Sequence, residues 1–187
     1  MNLEEDASED ERVRWLRRAV WLLLAIGLGA CLSEGANSPP DPTLVEGTGG
    51  RSAIDGFGEV GFTVQTAGTL PTTSSFCALL ADTAERRQQG LMGRSDLSGY
   101  DGMVFAFDGD VDAGFHMKNT LIPLTVAWFD AGGRLVGAVD MTPCPGGDCP
   151  TYDPPGPYRF AIEVLQGDLA RLAIAADSTV EVGGACG

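Results

Sequence analysis

His116 is the only histidine in the chain, so any serine or cysteine triad has to pass through its ring as the general base. Lys118 follows it closely and Asp112 precedes it. On an extended strand His116 and Lys118 point to one side, while Met117 and Asn119 point to the other. A base, a cation and a carboxylate near one another could serve a hydrolase. The partner nucleophile is missing, because no Gly-x-Ser-x-Gly elbow occurs and the serines fall in linker or turn contexts. Catalysis by His116, Lys118 and Asp112 is therefore the second reading, and binding without catalysis the first.

Arg94, Lys118, Asn119, Thr120, Asp130 and Tyr152 form a set better suited to binding. Lysine brings a point charge, asparagine and threonine bring directed hydrogen bonds, and tyrosine brings a flat ring. Gathered around one groove, they would receive a small polar or anionic ligand. The plainer role for the same residues is local: Asn119 and Thr120 shape a turn before Pro123, and Arg94 pairs with a carboxylate.

The metal patterns are incomplete. Asp108, Asp110 and Asp112 resemble the first half of a calcium loop, but Gly114 comes one place late and Asn119 stands where a bidentate carboxylate belongs. An acidic hairpin turn accounts for them. Cys144, Cys149 and His116 offer three zinc ligands, whereas a structural zinc takes four. No metal and no cofactor is assigned.

The redox state of the cysteines depends on where the chain is sent, and the amino-terminal segment bears on that. The apolar run from Ala19 to Ala30 would make a helix of about 18 Å, short of the roughly 30 Å hydrocarbon core of a bilayer. Arg12, Arg14, Arg17 and Arg18 give it the basic flank of a signal peptide. Leu28-Gly29-Ala30-Cys31 resembles the lipobox of bacterial lipoproteins. That implies cleavage before Cys31, lipidation of this cysteine, and a membrane anchor on the bacterial cell envelope. Six carboxylates between Glu4 and Glu11 oppose the basic flank, which points to Val13 as the true start.

Without residues 1–30 the chain carries 8 basic against 20 acidic side chains. Such a surface repels nucleic acid, and solubility explains most of its acidity. Residues 31–58 are rich in Ser, Gly, Pro, Asn and Asp, as in Ser38-Pro39-Pro40-Asp41-Pro42, and read as a flexible linker. Residues 59–187 then form one domain of ordinary size.

Five cysteines are present, and an exported chain meets an oxidising compartment. With Cys31 lipidated, four remain. Cys144 and Cys149 flank the turn-prone Pro145-Gly146-Gly147-Asp148, which can bring two Cα atoms within the about 4.4–6.8 Å of a disulfide. That pairing leaves Cys77 for Cys186.

Apolar alternation dominates residues 59–187 and predicts a mainly β domain. Val60, Phe62 and Val64 alternate, and Phe76–Leu80 is a short apolar run. Asp82 with Glu85 resembles a capping box for a two-turn helix ending at Gly90. Met103–Phe107 and Ala113–Lys118 read as strands joined by an acidic turn. Leu124–Phe129 and Leu135–Met141 flank a glycine turn and make the strongest hairpin signal. The proline-rich Thr142–Pro157 is excluded from a central sheet by its missing amide donors. Phe160–Leu165 is a strand, Asp168–Ile174 a short helix capped by Asp168, and Thr179–Val182 a last strand.

Five blocks follow one another in order: Glu85-Arg86, Gly90-Leu91-Met92-Gly93-Arg94, Gly102-Met103-Val104-Phe105, Met117-Lys118-Asn119-Thr120-Leu121-Ile122-Pro123-Leu124 and Cys149-Pro150-Thr151-Tyr152. Together they resemble the family called domain of unknown function 192, from roughly Leu79 to Ile174. The resemblance implies a compact, mostly antiparallel β barrel or sandwich with one or two short helices, often exported or lipid-anchored, and no established reaction. His116 departs from that pattern, which has tryptophan at this place. The partner expected is the membrane, through lipid on Cys31, together with a small polar ligand or an envelope component.

Overall fold

The computed structural model describes residues 50–187. The expected signal segment, Cys31 and most of the linker lie outside the described residues. Chain order is β1 (Gly58–Gln65), β2 (Thr73–Ala81), α1 (Ala84–Gln89), β3 (Gly102–Val111), β4 (Phe115–His116), β5 (Leu124–Phe129), β6 (Leu135–Met141), β7 (Thr151–Tyr152), β8 (Tyr158–Leu165) and β9 (Thr179–Val182). The mainly β class expected from the alternation is what the chain adopts.

Seven strands form one sheet in the order β6-β5-β8-β3-β2-β1-β9. All neighbours run antiparallel except β2 and β3, which are parallel. A parallel neighbour needs a crossover, and α1 with the loop after it supplies one. The sheet curls into a half-barrel. The amide of Val180 donates to the Gly133 carbonyl at 2.8 Å, tying the β5–β6 turn to β9 near the opposite edge. Gly133 has a φ of 76°, and a Cβ there would collide with the Val180 carbonyl.

Two cores result, one on each face of the sheet. Phe62, Val104, Phe129, Phe160, Ile162 and Leu172 anchor the first. Leu79, Leu91, Met103, Phe105, Trp128 and Tyr158 anchor the second. In β5 every residue is buried, as its two apolar faces predict for a central strand.

Several local expectations are corrected. The cap of α1 is Thr83, whose side chain accepts from the Arg86 amide at 3.3 Å. Asp82 instead binds the Arg86 guanidinium at 2.6 Å, one helical turn away. Asp168–Ile174 makes turns with a single i→i−4 bond, from the Leu172 amide to the Asp168 carbonyl at 3.0 Å, and Ala173 ends that turn with a positive φ of 57°. Its Leu172 and Ile174 still plug the first core. No hairpin joins Met103–Phe107 to Ala113–Lys118. β3 runs on through the acidic residues to Val111, where Asp110 pairs with Arg159 of β8 at 2.9 Å. Only Phe115 and His116 are extended in the following stretch, and they pair with Thr151 and Tyr152. The proline-rich segment thus stays out of the main sheet while lending two residues to a small one.

Folded structure also begins before residue 59. Ile54 is buried, and the Ser52 amide donates to the Ser98 carbonyl at 3.0 Å. Cys77 and Cys186 are bonded, with Cα atoms 5.2 Å apart, and so are Cys144 and Cys149, at 5.9 Å. The first bond fastens the carboxyl-terminal segment to β2. Among the described residues, no helix is long and apolar enough to cross a membrane.

Candidate functional site

A cavity of about 230 Å³ opens between α1 and the second face of the sheet. Its position follows from the crossover. The chain leaves β2, makes two turns of helix and comes back through Gly90, Leu91 and Met92 before entering β3, so α1 roofs the strands it connects. Gly90 takes a positive φ of 46°, and its amide donates to the Arg86 carbonyl at 2.8 Å, ending the helix over the Phe105 ring.

Four aromatic rings form part of the wall. Phe105 meets Phe115 edge-on with ring centroids 5.0 Å apart, and Phe107 meets Tyr158 edge-on at 5.5 Å. All four rings line the space. Burial and then the nearby charge of Asp112 push the Tyr158 hydroxyl up to about 12, and it donates to the Ala113 carbonyl at 2.8 Å. It stays protonated at any physiological pH. At the rim the Arg87 guanidinium lies 4.7 Å from the Phe107 ring centroid and donates to the carbonyls of Asp82 and Ala106.

Glu163 is the unusual member of the lining. It sits in the middle of β8, directly opposite Met103 on β3 and Val126 on β5, and is 4% exposed. Strands approach closely here, since a Cβ on Gly102 would come within 2.5 Å of the Glu163 carbonyl oxygen. Burial alone pushes its carboxyl up to about 8, with no hydrogen bond or neighbouring charge acting on it. Carboxylic acids are rarely buried unless paired. On the same face, one pair further along, the Trp128 indole nitrogen is the single buried side-chain polar atom without a partner among the described residues.

The residues singled out from the sequence are only partly gathered here. His116 and Thr120 line the cavity. The His116 Nδ1 faces its own chain, 3.4 Å from the Lys118 amide. Lys118 and Asn119 are exposed and border a shallower depression beside it, with Glu85, Gln88 and Met92. Asn119 adopts a positive φ of 55°, which asparagine tolerates better than most residues. Its carbonyl accepts from the Gly93 amide at 2.8 Å, so Arg94 follows directly on that contact. The Asn119 amide donates to the Cys144 carbonyl at 2.8 Å, bracing this turn on the disulfide loop.

The remaining residues stand apart. The Asp130 carboxylate accepts from the amides of Gly132 and Arg134, holding the β5–β6 turn beside β9. The Tyr152 hydroxyl accepts from the Thr142 amide at 3.1 Å. Asp112 is exposed and outside the lining of either depression. Among the described residues, the one group of side chains spaced for a metal is Glu59 with Cys77 and Cys186, and its two sulfurs are joined to each other.

Sequence reasoning missed Glu163, Arg87 and Tyr158. The signal for Glu163 was present, since Phe160-Ala161-Ile162-Glu163-Val164-Leu165 is apolar on both faces and its one acid has no polar side to turn to.

Fold and site define a small β domain, a curled sheet with a helix-roofed cavity and one nearly buried acid. The chain belongs to the family of domain of unknown function 192, described as an uncharacterized ACR, whose model matches residues 64–182. Solved structures share the fold. A Sinorhizobium meliloti 1021 protein, whose description proposes a transcription regulator, is 24% identical with a TM-score of 0.59, covering 67% of this chain and 95% of that one. A protein of unknown function from Novosphingobium aromaticivorans DSM 12444 is 30% identical with a TM-score of 0.53, covering 64% and 83%. No curated protein matches.

Proposed function

We propose that this is a lipid-anchored protein of the bacterial cell envelope whose β domain captures a small ligand, without chemistry, in the cavity beneath α1. One observation carries the binding reading: a carboxyl that is 4% exposed and makes no hydrogen bond within the protein lines a preformed cavity walled in part by four aromatic rings. Burying such a group costs several kcal/mol if nothing compensates it. A ligand that hydrogen-bonds to it would recover part of that cost. The volume falls below the about 300–1,000 Å³ of pockets for drug-sized molecules, so the ligand is small.

The enzyme alternative has less support. Its three residues do not converge, since His116 lines the cavity while Lys118 and Asp112 do not. Nucleic acid is a poor partner for residues 31–187, with 20 acidic against 8 basic side chains. The anchor reading rests on the lipobox-like residues and on the four cysteines paired as an oxidising compartment would pair them.

Two measurements test the proposal. Metabolic labelling with palmitate is expected to mark the wild-type chain and to fail with Cys31→Ala; equal labelling would refute the anchor. A library of small aromatic fragments, read by amide shifts, is expected to perturb Phe105, Thr120 and Glu163 first, and Ala113→Trp at the mouth is expected to abolish those shifts. Fragments that shift only the surface at Asp130 or Tyr152 would move the site elsewhere.

A further inference from the structure

We propose that the cavity beneath α1 selects a small organic cation, an ammonium on a compact apolar body, whose charge pairs with the Glu163 carboxylate inside the aromatic lining. This rests on the reading of the cavity as a ligand site and adds the ligand's class. Three observations favour a cation over a neutral or anionic guest.

The first is the acid itself. Glu163 is 4% exposed and lacks any partner within the protein, so the group best able to complete it is a positive charge that hydrogen-bonds. The second is the wall. Phe105, Phe107, Phe115 and Tyr158 present rings whose faces attract cations, most strongly where water is excluded. The Arg87 guanidinium already uses the Phe107 ring in this way at the rim. The third is the field around the mouth. Asp112 lies close enough to Tyr158 to raise its hydroxyl, and residues 31–187 carry 20 acidic against 8 basic side chains, which draws cations inward.

The charged and titratable groups sharing the lining with Glu163 are Arg87, His116 and Tyr158. Arg87 is held by the Asp82 and Ala106 carbonyls, and its charge has no resolved effect on Glu163. Tyr158 is neutral below about 12. Burial keeps Glu163 protonated at neutral pH. An entering ammonium retains its own protons, the carboxyl gives one proton to the buffer, and an ion pair remains. Binding therefore strengthens as pH rises towards about 8.

Isothermal titration of the full chain with benzylammonium, benzyl alcohol and benzoate, in buffers of different ionisation enthalpy, tests this. Benzylammonium is expected to bind at least about tenfold more tightly than either of the others, to release close to one proton near pH 6.5, and to gain about tenfold in affinity per pH unit below about 8. Glu163→Gln is expected to lose that preference while its benzyl alcohol affinity stays the same, and His116→Gln to keep the pH dependence. If benzyl alcohol or benzoate binds as tightly as benzylammonium with Phe105 and Thr120 amides shifting, the cation class is overturned and the cavity reading survives. If benzylammonium binds equally well to Glu163→Gln, the assigned partner is wrong. If none of the three binds, both the class and the cavity reading fall.

Discussion

On one face of the sheet Phe129 stacks on Phe160 with centroids 4.9 Å apart, and Phe62, Ile162 and Leu172 complete an apolar core. Where a polar side chain enters that layer it is answered: the Thr125 hydroxyl donates to Asp140 at 2.6 Å. On the other face the Trp128 indole nitrogen is buried with no partner, Glu163 is 4% exposed with no hydrogen bond to the protein, and the packing leaves a cavity of about 230 Å³ beside the acid. The same strands build both faces, so strand propensity does not explain the difference. One face is filled by apolar side chains, and the other places a single carboxyl beside a cavity. Such local conflicts concentrate at functional sites.

Substitutions on the two faces should have opposite signs. The largest effect is expected from Phe129→Ala, which removes a fully buried stacked ring and should cost about 3–5 kcal/mol in urea unfolding. A loss below about 1 kcal/mol would show that this layer repacks easily and erase the contrast.

Glu163→Gln is expected to stabilise the protein, by about 2–4 kcal/mol at pH 8. The sign follows from the direction of the shift. The folded state holds the Glu163 proton up to about 8, against an ordinary value of 4.5, so it binds more protons than the unfolded chain between those limits. Wild-type stability from this group is therefore full below about 4.5, falls as pH rises to about 8, and is level above. Glutamine has no such term. The gain should shrink towards zero near pH 4.5, and a pH-independent difference would sink the explanation.

A smaller effect sharpens the comparison at the cavity's edge. The Cys144–Cys149 loop holds the Asn119 turn through the Asn119 amide and the Cys144 amide, the latter donating to the Thr120 carbonyl at 3.1 Å. Replacing both cysteines by serine is expected to cost about 2 kcal/mol, since the closed loop is short. Amide exchange should quicken first at Asn119 and Thr120. Quickening first at Phe129 or Ile162 would mean that the loop supports the wrong face.

Much of this fold can be read from residue order. The β5–β6 hairpin follows from two apolar runs around Gly132 and Gly133, and the family blocks from Gly90 to Tyr152 foretell a mostly antiparallel β domain. Both disulfides follow from the short Cys144–Cys149 spacer and the remaining pair. Pairings between distant segments were hidden. Nothing in Ala113–Lys118 says that its extended part will meet Thr151–Tyr152 rather than β3, because that choice depends on β3 running on to Val111. The helix expected at Asp168 shrinks to one turn that ends at Ala173, a residue whose type gives no warning of a positive φ.

The site was less legible than the fold. Lys118 and Asn119 drew attention because their types are chemical, but the structure exposes them and uses Asn119 as a turn. Asp130 shapes a hairpin. Glu163 looked like one strand residue among others, and only the three-dimensional packing shows that no partner reaches it. Burial without compensation belongs to the fold, so a motif cannot reveal it.

The protonation state of Glu163 separates an unpartnered, nearly buried carboxyl from an ordinary solvated one. Carbon-13 NMR of the side-chain carboxyl, followed from pH 4 to 10 in the full chain, measures it directly. A midpoint near 8, with the resonance of a neutral acid at pH 6, is the predicted result. A midpoint near 4.5, or its persistence in Glu163→Gln, would contradict the claim that this carboxyl is buried and unpartnered.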